Sequence, residues 1–469
     1  MRLTVDDLGK VTHHEFRNRD LLKGKKLSGV STDTRTLKPG DLFIALRGEH
    51  FEGHKFIADA FDRGAVSAVA GRDADLVRIS NVPILVVEDT TKALGELANL
   101  YRRKFSIPVI AIGGSNGKTT TKDMVASVLR MSYKVLATEG NNNNQIGVPL
   151  TLFRLESKHR VAVVEIGTNH PGEIEYLCRI LEPTEGLITN IGHEHLEFFN
   201  TLEGVAAEEG RLFRSLKRRK RSRVFVNAND VHVNMLSKGM LNRYTYGLGS
   251  RNANVIGRII NEDGTGCVRF EFRGKQMKRA TNTHLRIPGR HNAANALAAA
   301  AVGLAHKVPS VRIRKALESF RATSNRMEVL SIGGATIYND TYNANPDSMS
   351  EALRTLSAAR VSGKKIAVLA DMRELGLAGP EEHARIGREL SGFDVDILLT
   401  FGELARHIHD AAKIPSAIHY EQQNVLAEYL AELLAPGDAV LVKGSRGMKM
   451  EDVVTFLAER MRHTEVSVG

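Results

Sequence analysis

Ile112-Gly113-Gly114-Ser115-Asn116-Gly117-Lys118-Thr119-Thr120 is the stretch on which the reading of the fold turns. It follows an almost wholly apolar run, 107–112, patterned like a strand buried on both faces of a parallel sheet. It precedes 118–131, which reads as a helix. Strand, glycine-rich turn and helix in that order make a phosphate-binding loop. Its glycines let backbone N–H groups turn inward as an anion nest, and the helix N-terminus adds partial positive charge. Lys118 is placed to reach the β- and γ-phosphates, and Thr119 can offer its hydroxyl to Mg²⁺. Gly114, Ser115, Asn116, Gly117 and Thr120 complete the cradle. Ile112 stands where a strict Walker loop has its first glycine, which marks a compact variant. The stretch implies a nucleoside-triphosphate site.

Outward from the loop, apolar runs alternate with helical patterns. Strands are expected at 160–166, 186–190 and 224–227, and helices at 172–180 and 202–216. A hairpin at 255–260 and 267–273 and an alanine-rich helix at 291–305 close this segment. The βαβα rhythm predicts helices on both faces of a sheet. Upstream lie strand candidates 41–46, 66–70 and 84–87, a helix at 54–63 and a connecting helix at 91–104. Downstream the rhythm returns, with strands at 365–370, 396–401 and 439–443 and helices at 348–360, 381–390, 404–412, 425–434 and 451–462. The fold class is α/β in three domains, expected at 1–88, 89–323 and 324–469. The central one is a P-loop mononucleotide-binding unit and the last a doubly wound, Rossmann-like unit.

Composition narrows the function. The 469 residues carry 65 Lys and Arg against 54 Asp and Glu, a formal charge of +11, with 42% hydrophobic residues. No apolar run approaches the ~20 residues needed to span a bilayer, and the acid-bearing start, MRLTVDDLGKV, does not read as a signal peptide. Cys178 and Cys267 are too few for a disulfide framework and suit a reducing, cytoplasmic location. The basic run Lys217–Arg221 has no interleaved aromatic residue for stacking bases, so it reads as a solvated helix end. His13, His14, His159, His407 and His409 read as surface or structural.

Two further features belong at the loop's end of the sheet. Glu165 closes a buried strand, at the carboxyl edge where open α/β sheets bind ligands. Taken alone it is either a metal ligand or a strand-end carboxylate facing water. Asn190-Ile191-Gly192-His193-Glu194-His195 follows another buried strand. Its two histidines have no Cys or third His at zinc-ligand spacing, so zinc is disfavoured.

Taken in order, Gly114-Ser115-Asn116-Gly117-Lys118-Thr119, Glu165-Ile166-Gly167, His195 and Arg290-His291-Asn292-Ala293-Ala294-Asn295 resemble the Mur ligases and folylpolyglutamate synthases. Ser31-Thr32-Asp33-Thr34-Arg35, Pro39–Gly48 and Gly53-His54 resemble the UDP-binding N-terminal domain of some Mur ligases, which the folate enzymes lack. Thr138-Glu139-Gly140-Asn141-Asn142-Asn143-Asn144 and the following Gln145–Pro149 also fit. Asn339–Met349, Ala370–Gly376 and Lys443-Gly444-Ser445-Arg446-Gly447-Met448 resemble the branch that adds D-alanyl-D-alanine to UDP-N-acetylmuramoyl-tripeptide. The Asp-Asn-Pro-Arg motif of diaminopimelate-adding members is absent.

The resemblance implies an ATP- and Mg²⁺-dependent amide-bond ligase of cytoplasmic peptidoglycan precursor synthesis, working through an acyl phosphate. It implies a monomer that binds no nucleic acid. It assigns catalysis to Lys118, Glu165, His195 and Glu209, and metal binding to Thr119, Glu165, His195 and Glu209. Asn292, Asn295, Arg326 and Asp340 would join the loop in holding ATP. Ser31, Asp33, Thr34 and Arg35 would hold the uridine diphosphate, and Asn141, Asn144, Tyr342 and Asn343 other parts of the substrates. One position departs from the family. Its members usually carry a CO₂-carbamylated lysine on the helix after the histidine motif, and here Glu209 stands in that place. Glu209 is expected to supply the metal's carboxylate directly or through water, the alternative being that Glu208 and Glu209 are exposed helix acids.

Overall fold

Each of the three segments builds its own open sheet in this computed structural model, which describes residues 3–48, 51–74, 81–217 and 219–467. The N-terminal sheet contains β1 (His14–Arg17), β2 (Val30–Ser31), β3 (Leu42–Ile44), β4 (Ser67–Gly71) and β5 (Ile84–Val87), in the order β1-β5-β4-β3-β2. Only β1 runs antiparallel to its neighbour.

The central sheet has nine strands: β6 (Val109–Gly113), β7 (Val135–Ala137), β8 (Val161–Glu165), β9 (Glu185–Ile188), β10 (Arg223–Asn227), β11 (Arg243–Leu248), β12 (Val255–Glu262), β13 (Cys267–Gly274) and β14 (Thr281–Pro288). Their order is β14-β13-β12-β11-β10-β9-β6-β8-β7, parallel from β7 to β12 and antiparallel beyond. The C-terminal sheet, β15 (Glu328–Ile332), β16 (Ala335–Asp340), β17 (Lys365–Ala370), β18 (Ile397–Phe401), β19 (Ser416–Tyr420) and β20 (Ala439–Lys443), runs β15-β16-β20-β17-β18-β19.

The phosphate-loop strand shows why the central sheet is covered on both faces. Side chains alternate across a strand, so Val109 and Ala111 of β6 enter one core while Ile110 and Ile112 enter another. On the first face lie α1 (Thr90–Arg102), α3 (Gly147–Phe153) and α4 (Glu173–Leu181). On the second lie α2 (Lys118–Arg130) and the alanine-rich α7 (Arg290–Ala305). Alanine and Gly303 let α7 approach closely: a Cβ on Gly303 would meet Val128 Cγ1 at 2.5 Å. The connecting helix α1 donates from Asn99 and Arg102 to the last carbonyls of α4, so it is packed onto the central domain.

Three expectations change. The single helix at 202–216 is two, α5 (Leu202–Glu209) and α6 (Arg211–Lys217), broken at Gly210 where a Cβ would meet Leu236 Cδ2 at 2.5 Å. The helix expected at 54–63 starts as a 3₁₀ turn, Gly53–Phe56, before the α-helix Ile57–Asp62. Strands β1, β2, β7, β11, β14, β15, β16 and β19 are not among those expected. Several of them, such as β1 and β19, are half-exposed and rich in polar residues, so they lack the apolar run that marks a buried strand. In the basic run, Arg218 lies outside the described residues. Arg219 and the following Arg223 approach Glu182 and Glu185 at 3.8 and 3.7 Å.

Candidate active site

Register brings the loops together. In the ladder Ile112 pairs with Glu165, and Gly113 with Ile188, so β6, β8 and β9 end level. The loops after them, 114–117, 166–172 and 189–195, therefore share the carboxyl edge of the sheet. A cavity of about 950 Å³ opens there, with its opposite side formed by the C-terminal domain.

The phosphate loop is held in place by the loop after β9. Ser115 N–H donates to the Asn190 carbonyl at 2.9 Å, Asn116 N–H to Asn190 Oδ1 at 3.0 Å, and Asn190 Nδ2 back to the Asn116 carbonyl. Ser115 Oγ is exchanged with the backbone of Gly192. Two glycines are required by geometry. Gly114 has φ +110° and lies against Thr189, and Gly117 has φ +76° with Asn295 Oδ1 2.8 Å from where a Cβ would be.

Lys118 points into this frame, donating to the Ser115 carbonyl and to Glu194 Oε2, both at 3.1 Å. Burial works against its charge, but Glu194 and Glu209 outweigh burial, so its pKa lies above the usual lysine value. Thr119 Oγ1 donates to Glu165 Oε1 at 3.1 Å, and Asn143 Nδ2 donates to the same oxygen at 2.9 Å. Glu165 Oε2 is buried and has no hydrogen-bond partner among the described residues. A carboxylate facing the cavity with one oxygen satisfied and one open fits a hard cation.

Glu209 is not the exposed helix acid of the alternative reading. It is fully buried and does not line the cavity. Its Oε2 accepts the Gly114 N–H at 2.7 Å from beneath the loop. Burial, opposed by Lys118 and assisted by Glu194, pushes its pKa up to about 7. Among the described residues no three His, Cys, Asp or Glu side chains gather as a metal cluster. Of Thr119, Glu165, His195 and Glu209, the first two are hydrogen-bonded to each other, and Glu209 Oε1 is buried with no hydrogen-bond partner among the described residues. Glu208 is not an exposed acid either. It is 3% exposed and accepts the N–H groups of Gly172 and Ile174 at the start of α4, with Arg211 bound to its Oε2.

The C-terminal domain contributes through α8 (Pro346–Ala358) and the loops after β16, β17 and β20. Asn345 Nδ2 donates to Asn116 Oδ1 at 2.9 Å, and Asp347 accepts the His193 N–H at 2.6 Å. His195, at φ +49°, meets Glu374, at φ +67°, across the domain boundary at 2.7 Å. That contact holds the Glu374 carboxylate below its usual range. Asp340 pairs with the buried Lys443 at 2.5 Å. Arg326 lies over the Tyr342 ring at 3.6 Å.

Asn292, Asn295, Arg326, Asp340, Asn141, Asn144, Tyr342 and Asn343 all line the cavity. Asn144 also caps α3 through the Gly147 N–H. Ser31, Asp33, Thr34 and Arg35 do not line it. They lie at β2, the edge of the N-terminal sheet, where Asp33 and Arg35 form an exposed ion pair at 2.6 Å. Glu194, Glu374, Asn143, Asn345 and Asp347 were missed. Each acts through a partner distant in sequence, and the only signal was their position inside quoted motifs.

A P-loop on a parallel sheet, closed over by a second α/β domain, defines a nucleoside-triphosphate-using enzyme with a site shared between domains. Family models for the Mur ligase family catalytic domain, the Mur ligase middle domain and the Mur ligase glutamate ligase domain match residues 26–102, 112–303 and 325–446. The chain is 35% identical to the UDP-N-acetylmuramoyl-tripeptide–D-alanyl-D-alanine ligase of Bacillus subtilis, covering 92% of this chain and 93% of that one. It is 34% identical to the Escherichia coli enzyme of the same name, over 97% and 98%. Among solved structures it is similar to MurF from Acinetobacter baumannii, with a TM-score of 0.86, 30% identity and coverage of 97% and 98%. It is also similar to the MurF ligase from Thermotoga maritima in complex with ADP, with a TM-score of 0.80, 26% identity and coverage of 95% and 99%. The chain belongs to the Mur ligase family.

Proposed function

We infer that this chain joins D-alanyl-D-alanine to UDP-N-acetylmuramoyl-tripeptide at the expense of ATP, forming an amide in peptidoglycan precursor synthesis. The observation that carries the reading is the pre-formed loop with Lys118 and the Thr119–Glu165 pair facing a cavity closed by the C-terminal domain. Such a reaction needs little from protein nucleophiles. It needs several anionic groups brought together and their charge neutralised, which is electrostatic preorganisation.

In this reading the γ-phosphoryl group passes to the terminal carboxylate of the tripeptide, giving an acyl phosphate and ADP. The amine of D-alanyl-D-alanine then attacks the acyl carbon, the C–O bond to phosphate breaks, and inorganic phosphate and a proton leave. Loop amides and Lys118 bind the phosphates, Lys118 exchanging its contact with Glu194 for them. Asn292 and Asn295 flank the nucleotide on α7, and Arg326 and Asp340 reach it from the C-terminal domain. Thr119 and Glu165 would hold Mg²⁺, whose charge offsets that of the β- and γ-phosphate oxygens. His195, oriented by Glu374, faces the same space. Glu209 acts on the loop, fixing Gly114. Ser31, Asp33, Thr34 and Arg35 anchor the uridine diphosphate end, and Asn141, Asn144, Tyr342 and Asn343 line the substrate path. Closure by the C-terminal domain keeps water from the acyl phosphate. Among the described residues no helix is long and apolar enough to cross a membrane. We propose a cytoplasmic monomer.

The test is phosphate release with product mass. Release that requires both tripeptide and D-alanyl-D-alanine, with a product heavier by the dipeptide, is expected. Release with diaminopimelate or lysine on the shorter dipeptide precursor instead would overturn the reading.

A further inference from the structure

Lys443-Gly444-Ser445-Arg446-Gly447-Met448 stands out in the sequence, but the roles assigned so far leave most of it unused. The structure shows it as a frame for the cavity's C-terminal side. Lys443 is 2% exposed and bonds Asp340 and the Asn343 carbonyl, so its charge is already spent. Ser445 Oγ donates to the Ala344 carbonyl at 3.2 Å and accepts the Arg373 N–H at 2.7 Å. Arg446 N–H donates to Asn343 Oδ1 at 3.3 Å, and its guanidinium lies over Tyr342 at 5.5 Å. Arg373 is seated on the same turn. A Cβ on Gly447 would come within 2.7 Å of Arg373 Nη1, so glycine leaves room for that guanidinium beside Arg446.

The acceptor dipeptide brings a problem that the reaction itself does not solve. Besides the amine that attacks, its ionised group is the terminal carboxylate, which must lie within about 7 Å of that amine because two residues reach no further. The central side of the cavity presents Glu165, Glu173 and Glu194, which repel a carboxylate, and Lys118, which the phosphates occupy. On the C-terminal side Asp347 is engaged by His193, Glu351 by His291 and Arg354, and Glu374 by His195. Lys443 is neutralised by Asp340, and Arg326 lies over Tyr342 beside the nucleotide-facing residues. Arg446 has one exposed contact, Glu451 at 3.3 Å, and Arg373 forms no ion pair among the described residues. A guanidinium has five donors in a planar fork that matches a carboxylate.

We propose that Arg446, with Arg373 beside it on Gly447, binds the C-terminal carboxylate of the acceptor dipeptide and so makes a free carboxylate a condition of acceptance. The proposal rests on the ligase reading above and names the group of the acceptor that this side of the cavity reads.

The test compares D-alanyl-D-alanine with D-alanyl-D-alaninamide as acceptors for the full-length wild-type chain and for Arg446→Ala, Arg446→Lys and Arg373→Ala. Losing a charge-assisted pair predicts a KM for the dipeptide acid roughly 10- to 100-fold higher in Arg446→Ala, with the amide unchanged. Arg446→Lys recovers part of the preference for the acid, and Arg373→Ala loses less than Arg446→Ala. KM for ATP and for the tripeptide stays within twofold. Hydroxylamine trapping of the activated tripeptide in the absence of dipeptide stays at the wild-type level. An equal loss for acid and amide, or a loss confined to ATP, overturns the proposal while leaving the ligase reading intact. A wild-type chain that activates the tripeptide but accepts neither dipeptide overturns both.

Discussion

The two sides of the cavity are built by different means. The central side is a sheet edge whose loop is pinned by main-chain bonds to Asn190 and Gly192 and propped from below by Glu209. The C-terminal side meets it through side chains, Asn345 to Asn116, Asp347 to His193 and Glu374 to His195, and through the Glu197 N–H bond to the Glu374 carbonyl. The first is held by bonds made within one domain. The second is joined to it across a domain boundary, where such sites open for exchange and close for chemistry. Preorganisation belongs to the central domain, and selection and closure to the C-terminal one.

Substitutions on the two sides should therefore fail in different ways. The largest effect belongs to Lys118→Ala, which removes the cation of the loop and should lower kcat/KM by about a thousandfold or more, measured as ADP formation with both substrates saturating in turn. Glu165→Gln should cost about a hundredfold and shift the Mg²⁺ requirement upward, read from activity across a Mg²⁺ titration. On the other side, Asn345→Ala should cost only about tenfold in kcat/KM and lower the melting temperature by a few degrees, because it removes one hydrogen bond between domains and the N-cap of α8. An Asn345→Ala chain as inactive as Lys118→Ala would erase the distinction between the two sides.

The smallest effect concerns stability. Burial raises the Glu209 carboxyl from its ordinary 4.5 to about 7, so the folded chain holds a proton there that the unfolded chain releases. Stability from this group is present below the unfolded value and is lost as pH rises between about 4.5 and 7. Glu209→Gln keeps an acceptor for Gly114 N–H and removes the buried charge. Its melting temperature should exceed that of the wild type by a few degrees at about pH 8, with the gap closing toward about pH 5. A gap that does not change with pH would contradict the buried-carboxylate account.

The loop, its strand and its helix were legible because glycine freedom, apolar patterning and helix amphipathicity are all local properties. Glu165 was legible for the same reason, as the last residue of an apolar run. The partners of these residues were not. Glu194 meets Lys118, Asn143 meets Glu165 and Glu374 meets His195 only because separate strands end level and separate domains dock. Glu208 and Glu209 make the point most sharply. Side by side in sequence, they serve a helix N-terminus and a phosphate loop on different elements, and the one-residue step around α5 separates them. Gly210 read as an ordinary helical residue because the packing of Leu236 against it has no local trace.

The central claim is that the tripeptide carboxylate is phosphorylated in the space between these two domains before the amine attacks. Tripeptide labelled with ¹⁸O in its terminal carboxylate tests this directly when it is incubated with ATP and D-alanyl-D-alanine. The account predicts that one labelled oxygen per amide formed appears in inorganic phosphate, with ADP as the nucleotide product. Unlabelled phosphate, or label recovered in AMP, would contradict it.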